Sequence, residues 1–426
     1  MKFFKELNKL MIAGSQAQAR WEIEMSKNIL GSKKRLLILG LLLLPVFLGG
    51  ICFADAVSSH MPDFIGSKSA YGPSHYTDAI FLASILVGIC AGLITGCIGA
   101  GGGFIIAPAL MSVGVKGILA VGTDLFHIFA KAIMGSVLHR KLGNISLSLA
   151  ITFLIGAIVG SSVGGWLNRL LYDENPVLSD MFITLVYVVL LAFLSFYALN
   201  DVLRARRKAA ASGGAAAGTE EIAPMGQALQ KVNLPPMLTF DEGITPGGRH
   251  ISAWFLVISG FIVGFAANIM GVGGGFLTFP MFVYGLGVSS MTTVGTDIFQ
   301  IVFTAGYGSI TQYAIYGFIF YTLAMGMLLG SLIGIQVGSI VTKIVPGATI
   351  RAFYALTVSA GFLNRLCALP AKLAQMGWIP ALPPWLLKTL DFIGIWGFFA
   401  IIITFALWVF YSFFTNLDVL KSEEAH

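Results

Sequence analysis

Charged residues are scarce in this sequence, since Lys, Arg, Asp and Glu make up only 11% of its 426 residues. Hydrophobic residues make up 57%, and the mean hydropathy is +0.86. A water-soluble protein of this size needs far more charge on its surface, so the composition excludes that class. Several apolar runs of about 20 residues are long enough to cross a bilayer, and they do not alternate as barrel strands do. The predicted fold class is all-α, a polytopic membrane protein.

Cysteine is rare as well, and the four cysteines form no C-x-x-C pair, which excludes the usual disulfide frameworks and zinc sites. The sequence has no G-x-x-x-x-G-K-[ST] loop, so we expect no ATP-binding site of this kind. The spans also lack an arrangement of nucleophile and base, so we expect no enzyme, no metal and no cofactor. The net charge of +6 is concentrated in segments that are predicted to be cytoplasmic. It therefore indicates contact with lipid rather than with nucleic acid.

The sequence does contain a glycine-rich stretch that occurs twice. Residues 99–108 read GAGGGFIIAP, and residues 271–280 read GVGGGFLTFP. Each copy is followed by V-G-T-D, at residues 121–124 and 294–297. A two-part motif that repeats in register indicates two homologous halves.

Four glycines in five positions do not make a stable helix, because each costs about 1 kcal/mol relative to alanine. Each motif is therefore predicted to break a helix, and a new helix should start near Phe104 or Phe276. The start of a helix carries unpaired N–H groups and a partial positive charge, which favour an anion. If one half is inverted on the other, the two breaks meet near the midplane. We predict a central pocket for a small anion, lined by backbone N–H groups of residues 101–104 and 273–276. The alternative is that the glycines only allow helices to cross closely.

The V-G-T-D residues of the two halves have two interpretations. Thr123 and Thr296 stand where a helix is expected to begin, so Gly-Thr-Asp is interpreted as a helix cap. Asp124 and Asp297 are alternatively interpreted as carboxylates that couple transport to an ion gradient.

The candidate substrate-binding residues are Gly99, Gly101, Gly102, Gly103, Phe104, Thr123, Gly271, Gly273, Gly274, Gly275, Phe276 and Thr296. The candidates for ion coupling or for lining the path are Asp124, His127, Lys131, Asp297 and Gln300. The prolines of the motif, Pro108 and Pro280, are assigned a structural role.

Two basic side chains in the spans are weighed separately. Lys131 lies four residues after His127, on one helix face, and it either pairs with Asp124 or faces an anion path. Arg365 is interpreted as an anchor at the membrane interface. Small residues at every fourth position, in 156–164 and 330–338, are predicted to be packing faces for neighbouring helices.

The distribution of Lys and Arg gives the orientation. The N-terminus and the clusters at 139–141 and 204–208 are predicted to be cytoplasmic, which places both termini there and makes the two halves an inverted-topology repeat in the cell inner membrane. The predicted segments are a cytoplasmic interfacial amphipathic helix (1–35), an extra first transmembrane helix (36–54), a periplasmic loop (55–77), a first transmembrane repeat (78–203), a loosely ordered cytoplasmic linker (204–250), a second transmembrane repeat (251–368), an external loop (369–390), and a last transmembrane helix with a cytoplasmic tail (391–426).

The paired G-x-G-G-G-F-x-x-x-P motifs and the G-T that follows each of them resemble the TauE/SafE family of membrane permeases, also called the sulfite exporter or TSUP family. The resemblance covers roughly residues 79–202 and 252–414. It implies export of sulfite or of a small organosulfur anion such as sulfoacetate, or uptake of sulfate or a related anion. It marks Gly99, Gly101, Gly102, Gly103, Pro108 and Thr123 in the first half. In the second half it marks Gly271, Gly273, Gly274, Gly275, Pro280 and Thr296.

We therefore expect a secondary transporter, an exporter of a small sulfur-containing oxyanion. An anion channel and an ion-coupled importer are the alternatives. The expected partners are a small anionic substrate and the lipid bilayer, and the sequence leaves open whether the protein forms a homodimer.

Overall fold

The computed structural model describes residues 78–98, 102–142, 145–211, 224–241, 248–341, 345 and 347–416. The predicted amphipathic helix, first transmembrane helix and periplasmic loop, which together cover residues 1–77, lie outside the described residues. So do Gly99 and Gly101 of the first glycine motif and the end of the predicted C-terminal tail.

The described chain is almost entirely helical, as the composition predicted. The first half contains α1 (Asp78–Ile98), α2 (Gly103–Ser112), α3 (Gly117–Leu142), α4 (Leu147–Glu174) and α5 (Pro176–Ala211). The connecting segment contains α6 (Pro224–Gln230), β1 (Met237–Phe240) and β2 (Arg249–Ser252). The second half contains α7 (Ala253–Met270), α8 (Gly275–Pro280), a π-helical segment (Met281–Leu286), α9 (Ser290–Tyr307), a second π-helical segment (Gly308–Tyr313), a 3-10 turn (Ala314–Tyr316), α10 (Tyr321–Val341), α11 (Gly347–Gln375) and α12 (Pro384–Thr415).

Seven of the described helices are long and apolar enough to cross a membrane, namely α1, α4, α5, α7, α10, α11 and α12. The helices that carry V-G-T-D, α3 and α9, are not among these seven. The all-α polytopic class is therefore confirmed.

Glycines set the closest contacts between helices. The most extensive packing joins α1 to α10 and α4 to α7. A Cβ atom on Gly156 or Gly160 of α4 would collide with the backbone of α7, and one on Gly330 or Gly334 of α10 would collide with the backbone of α1. The packing role predicted for these evenly spaced glycines is confirmed. Two backbones can approach this closely only where a glycine, which has no side chain, stands at the crossing.

Helices at matching places in the two halves run in opposite directions where they touch. In the pair α5–α11, Asp180 bonds to Lys372 at one end, and Ser195 bonds to Ser359 further along. Because the residue numbers increase along α5 while those of the partners decrease along α11, these two helices are antiparallel. The pair α3–α9 is antiparallel as well, since Phe129 of α3 lies against Gly306 of α9, and Gly122 lies against Tyr313 in the π-helical segment that continues α9.

The connecting segment is more ordered than its composition predicted. Over residues 224–241 and 248–252 it forms α6 and a short antiparallel hairpin in which Met237 pairs with Ser252. The expectation of a loosely ordered linker is therefore wrong for these residues. The small-residue tract at 209–218 dominated that prediction, whereas the part that folds is the less repetitive sequence after it.

One buried carboxylate fixes the hairpin to the second half. Asp241 accepts hydrogen bonds from the backbone N–H of Ser289 at 2.9 Å, from the Ser289 hydroxyl at 2.8 Å and from the Thr292 hydroxyl at 2.5 Å. These groups belong to the first turn of α9, where negative charge is favoured. We call this end of the helix bundle the Asp241 end. The opposite end, where Asp180 bonds to Lys372, is the Asp180 end.

Replacing Gly160 by alanine should destabilise the protein, because the added methyl group meets the Phe261 carbonyl of α7. Forcing such a group into a packed interface costs about 1–3 kcal/mol. The matched control is Gly397→Ala on α12, since a Cβ atom there meets nothing within 4 Å. Thermal unfolding of the purified protein in detergent measures both. Equal melting temperatures for the two variants would contradict the packing described here.

Candidate functional site

Each glycine motif ends one helix and starts another. Gly102, the residue before α2, has φ 63°, and Gly274, the residue before α8, has φ 90°. Gly271 and Gly273 also have positive φ, at 80° and 65°. Only glycine adopts this left-handed backbone without a penalty. The predicted helix breaks are confirmed, and the new helices begin one residue before Phe104 and Phe276.

The two breaks meet inside the protein. A Cβ atom on Gly103 would lie 3.0 Å from the Cα atom of Val272, so the first motif rests on the backbone of the second. The side chain of Ile128, on α3, reaches both, because Cβ atoms on Gly103 and Gly273 would lie 2.8 and 2.6 Å from its methyl groups. All four residues are buried. The sequence alone gave no signal for Ile128, which is one apolar residue among many.

Aromatic rings follow each break at the same place. The rings of Phe104 and Phe276 have centroids 5.9 Å apart and are tilted by 39°. Both side chains are at most 1% exposed. They close the apolar side of the junction, so the first N–H groups of α2 and α8 belong to a dry part of the protein. Such groups have no acceptor within their own helix.

The threonines of V-G-T-D do not cap their own helices, as the sequence had suggested. Helix α3 begins at Gly117 and α9 at Ser290, so Thr123 and Thr296 lie in the second turn. The capping interpretation is wrong for Asp124 and Asp297 as well, because they follow in the same turn. In α9 the cap is Ser289, whose hydroxyl accepts from the N–H of Thr292.

These threonines instead tie each half to the other. Thr123 Oγ1 accepts a hydrogen bond of 2.9 Å from the N–H of Phe320, one residue before α10. Thr296 Oγ1 accepts one of 3.0 Å from the N–H of Ser146, one residue before α4. Both threonines are fully buried. The hydroxyl of each G-T-D therefore satisfies an N–H group at the start of a helix from the other half.

The first half places three titratable side chains together in α3. His127 Nδ1 lies 3.6 Å from Asp124 Oδ1, and His127 Nε2 lies 2.8 Å from the hydroxyl of Ser331. Neither carboxylate oxygen of Asp124 has a hydrogen-bond partner among the described residues. Lys131 Nζ donates to Thr95 Oγ1 at 3.2 Å and is near enough to Asp124 for the two charges to interact. Both roles weighed for Lys131 therefore stay open.

Lys131 also places positive charge beside the first break. A Cβ atom on Gly102 would lie 2.8 Å from Thr95 Oγ1, the atom to which Lys131 donates. The ammonium group thus stands one side chain away from the start of α2. Its charge has the same sign as the partial charge of that helix end.

The second half has a hydrogen-bonded network at the matching place. Gln300 Nε2 donates to Asp297 Oδ1 at 2.8 Å, and the hydroxyl of Thr304 donates to Gln300 Oε1 at 2.7 Å. The other oxygen of Asp297 would lie 3.1 Å from a Cβ atom on Gly275, the first residue of α8. The Asp297 carboxylate therefore stands beside the second break. The residues predicted for coupling and for the pocket are neighbours in both halves.

Arg365 is not the interface anchor that the sequence suggested, since its side chain is only 3% exposed. Its Nη2 donates to the Pro108 carbonyl at 3.1 Å and to the Ser112 hydroxyl at 2.9 Å. Pro108 lies inside α2, and Pro280 is the last residue of α8. The sequence signal for a buried role of Arg365 was a single arginine inside an apolar run, because burying a charge within a membrane span costs free energy.

Seven described helices that are long and apolar enough to cross a membrane, together with two helix breaks that meet inside the protein, are the architecture of a polytopic membrane transporter. The chain belongs to the sulfite exporter TauE/SafE family, whose sequence profile matches residues 84–364. The resemblance seen in the glycine motifs is thereby confirmed, and the proteins of this family are permeases rather than enzymes.

Three relatives come from Bacillus subtilis (strain 168). The chain is 23% identical to the probable membrane transporter protein YunE, over 62% of this chain and 89% of YunE. It is 26% identical to the probable membrane transporter protein YjnA, over 60% of this chain and 87% of YjnA. It is 27% identical to the probable membrane transporter protein YdhB, over 66% of this chain and 98% of YdhB. No solved structure matches the chain.

Replacing Thr123 by valine should destabilise the protein, because the buried N–H of Phe320 loses its acceptor. A buried donor without a partner costs about 1–3 kcal/mol. Thr184→Val is the matched control, since the hydroxyl of Thr184 is equally buried but donates only to the Asp180 carbonyl of its own helix. The measurement is thermal unfolding in detergent. If Thr123→Val and Thr184→Val have the same melting temperature, the hydrogen bond between the halves contributes nothing measurable to stability.

Proposed function

We propose that this protein is a secondary transporter that exports a small sulfur-containing oxyanion, such as sulfite or an organosulfonate, across the inner membrane. The observation that carries the proposal is the meeting of two helix starts at the contact between Gly103 and Val272. Helix starts stabilise anions through unpaired N–H groups and through the helix dipole. The pocket would be formed by the backbone of residues 102–104 and 273–276, with Lys131 beside it.

The substrate class rests on the family and on the charge of the site. The family is described as a sulfite exporter family, and the relatives are named only as membrane transporters. A site built mainly from backbone N–H groups suits a compact oxyanion, because each oxygen accepts several hydrogen bonds. The dry surroundings of Phe104 and Phe276 strengthen such bonds.

An inverted-topology repeat is part of the proposal. It is supported by the antiparallel pairs α5–α11 and α3–α9, which join matching helices of the two halves. Basic residues favour the cytoplasmic side. The Asp241 end, which holds the connecting segment after the cluster at 204–208, would then face the cytoplasm, and the Asp180 end would face outward. Both termini would be cytoplasmic.

The membrane potential suffices to drive export. With the inside negative, an anion leaves the cell with a gain of about 2.3 kcal/mol per charge per 100 mV. Uptake would need a coupling ion, and the buried carboxylates of Asp124 and Asp297 favour ion-coupled import as the second candidate. Carboxylates inside a membrane protein commonly carry protons or cations. An anion channel would be recognised by unitary currents in a planar bilayer, whereas a transporter gives a slower, saturable flux.

The test is flux of radiolabelled sulfite in vesicles made with the purified protein. Gly274→Val should abolish the flux, because its Cβ atom would lie 2.9 Å from a methyl group of Val263 and its φ of 90° disfavours any side chain. Gly102→Val should do the same. The control is Gly377→Val, which has φ 72° but meets nothing within 4 Å. Wild-type flux in both folded motif variants would contradict the pocket.

Asp297→Asn should change the pH dependence of the flux if this carboxylate couples transport to protons. Asparagine has nearly the same shape and keeps an oxygen to accept from Gln300, so the fold should survive. Asp173→Asn, at an exposed position near the end of α4, removes the same charge outside the site. A pH profile identical to that of the wild type would leave Asp297 with a structural role only.

A further inference from the structure

A polar cavity lies away from the glycine motifs, at the Asp180 end. Its volume is about 260 Å³, and it is bounded by the C-terminal part of α2 and by α5, α11 and α12. A water molecule occupies about 30 Å³ in the liquid, so this space admits a hydrated oxyanion. Its polar and charged lining is formed by Ser112, Asp180, Asn364, Arg365, Lys372 and Asp391.

Arg365 carries a positive charge that no carboxylate balances directly. It is 3% exposed, and its donors reach only neutral acceptors. Nε donates to Asn364 Oδ1 at 2.8 Å, and Nη2 donates to Pro108 and Ser112. The Nη1 group reaches only the sulfur of Met111, at 3.4 Å. Among the described residues, no carboxylate lies within ion-pair distance of this guanidinium. A thioether is a weak acceptor, so Nη1 retains capacity to donate to a ligand.

The other charges of the cavity are already matched or lie at its edge. Asp180 accepts from Lys372 Nζ at 3.2 Å and from the N–H of Gly117 at 2.7 Å. These two side chains therefore neutralise each other. Asp391, on α12, is exposed to solvent. A buried charge without a counter-ion is unfavourable, and binding an anion would remove that penalty.

We propose that this cavity is a second anion site, in which the Nη1 group of Arg365 holds a small oxyanion. The inference rests on the proposed function only for its place on a transport path, as a binding site at the Asp180 end. Charge-assisted hydrogen bonds from a guanidinium suit the oxygens of a sulfite, sulfate or sulfonate group.

Helix α2 connects the two sites. It starts at Gly103 in the glycine junction, and its Pro108 carbonyl and Ser112 hydroxyl bond to Arg365 about 8–14 Å further along the helix. An anion on Arg365 would share the guanidinium with the end of α2. Binding of an anion in the cavity at the Asp180 end would therefore affect α2, and the first turn of α2 forms part of the pocket proposed at the glycine motifs.

The test is equilibrium binding of radiolabelled sulfate and sulfite to the purified protein in a buffer without competing anions. Arg365→Gln should weaken binding at the cavity by roughly tenfold or more, the effect of losing a charge-assisted hydrogen bond. Arg365→Lys keeps the charge and should lose less. Lys388→Gln, at an exposed position on α12, removes one positive charge outside the cavity and should bind like the wild type.

A further variant keeps the test valid if Arg365→Gln fails to fold. Ala371→Glu adds a carboxylate to the cavity lining and leaves Arg365 in place, so it should also weaken anion binding. Unchanged binding in folded Arg365→Gln, or in Ala371→Glu where the first variant cannot be purified, would overturn the proposal and leave Arg365 as a support for α2.

The same titration in Gly274→Val separates the two proposals. If that variant keeps the Arg365-dependent binding but loses flux, both sites stand. If Gly274→Val and Gly102→Val both transport sulfite normally, the pocket at the glycine motifs is contradicted, while the effect of Arg365→Gln on binding still decides the cavity at the Asp180 end.

Discussion

The structure depends on one constraint, which is that backbone N–H and C=O groups inside a membrane must find partners within the protein. Two helices break at the glycine motifs, and the first N–H groups after each break have no acceptor within their own helix. The protein meets the constraint by bringing the breaks together, with Gly103 against Val272 and with Ile128 beside both. In the function proposed above, the first N–H groups of α2 and α8 are the ones that bind the ligand.

The same constraint explains where the polar side chains of the interior lie. Thr123 and Thr296 each accept from an N–H group that precedes a helix of the other half. They hold the halves in register and satisfy the buried starts of α4 and α10 in doing so. Such bonds do not need any ligand, so the paired threonines belong to the scaffold that positions the junction.

The two halves differ in the charge that they bring to this scaffold. The first half has Asp124, His127 and Lys131 in α3, whereas the second has the Asp297 carboxylate bonded to Gln300, which bonds in turn to Thr304. The two glycine motifs therefore have different polar side chains beside them, with Lys131 near Gly102 and Asp297 near Gly275. Variants at these two side chains probe that difference directly.

The sequence by itself determined the membrane class, the repeat, the helix breaks and the close packing of the spaced glycines. These follow from local properties, since apolar length and the backbone freedom of glycine depend on residues that are near in the chain. Only the tertiary structure decided what the polar residues contact. Thr123 and Thr296 reach across to the other half, Asp241 bonds to the first turn of α9, and Arg365 is buried against α2. Each of these partners lies tens to hundreds of residues away, and no local pattern encodes which distant backbone group a side chain will meet once the helices pack.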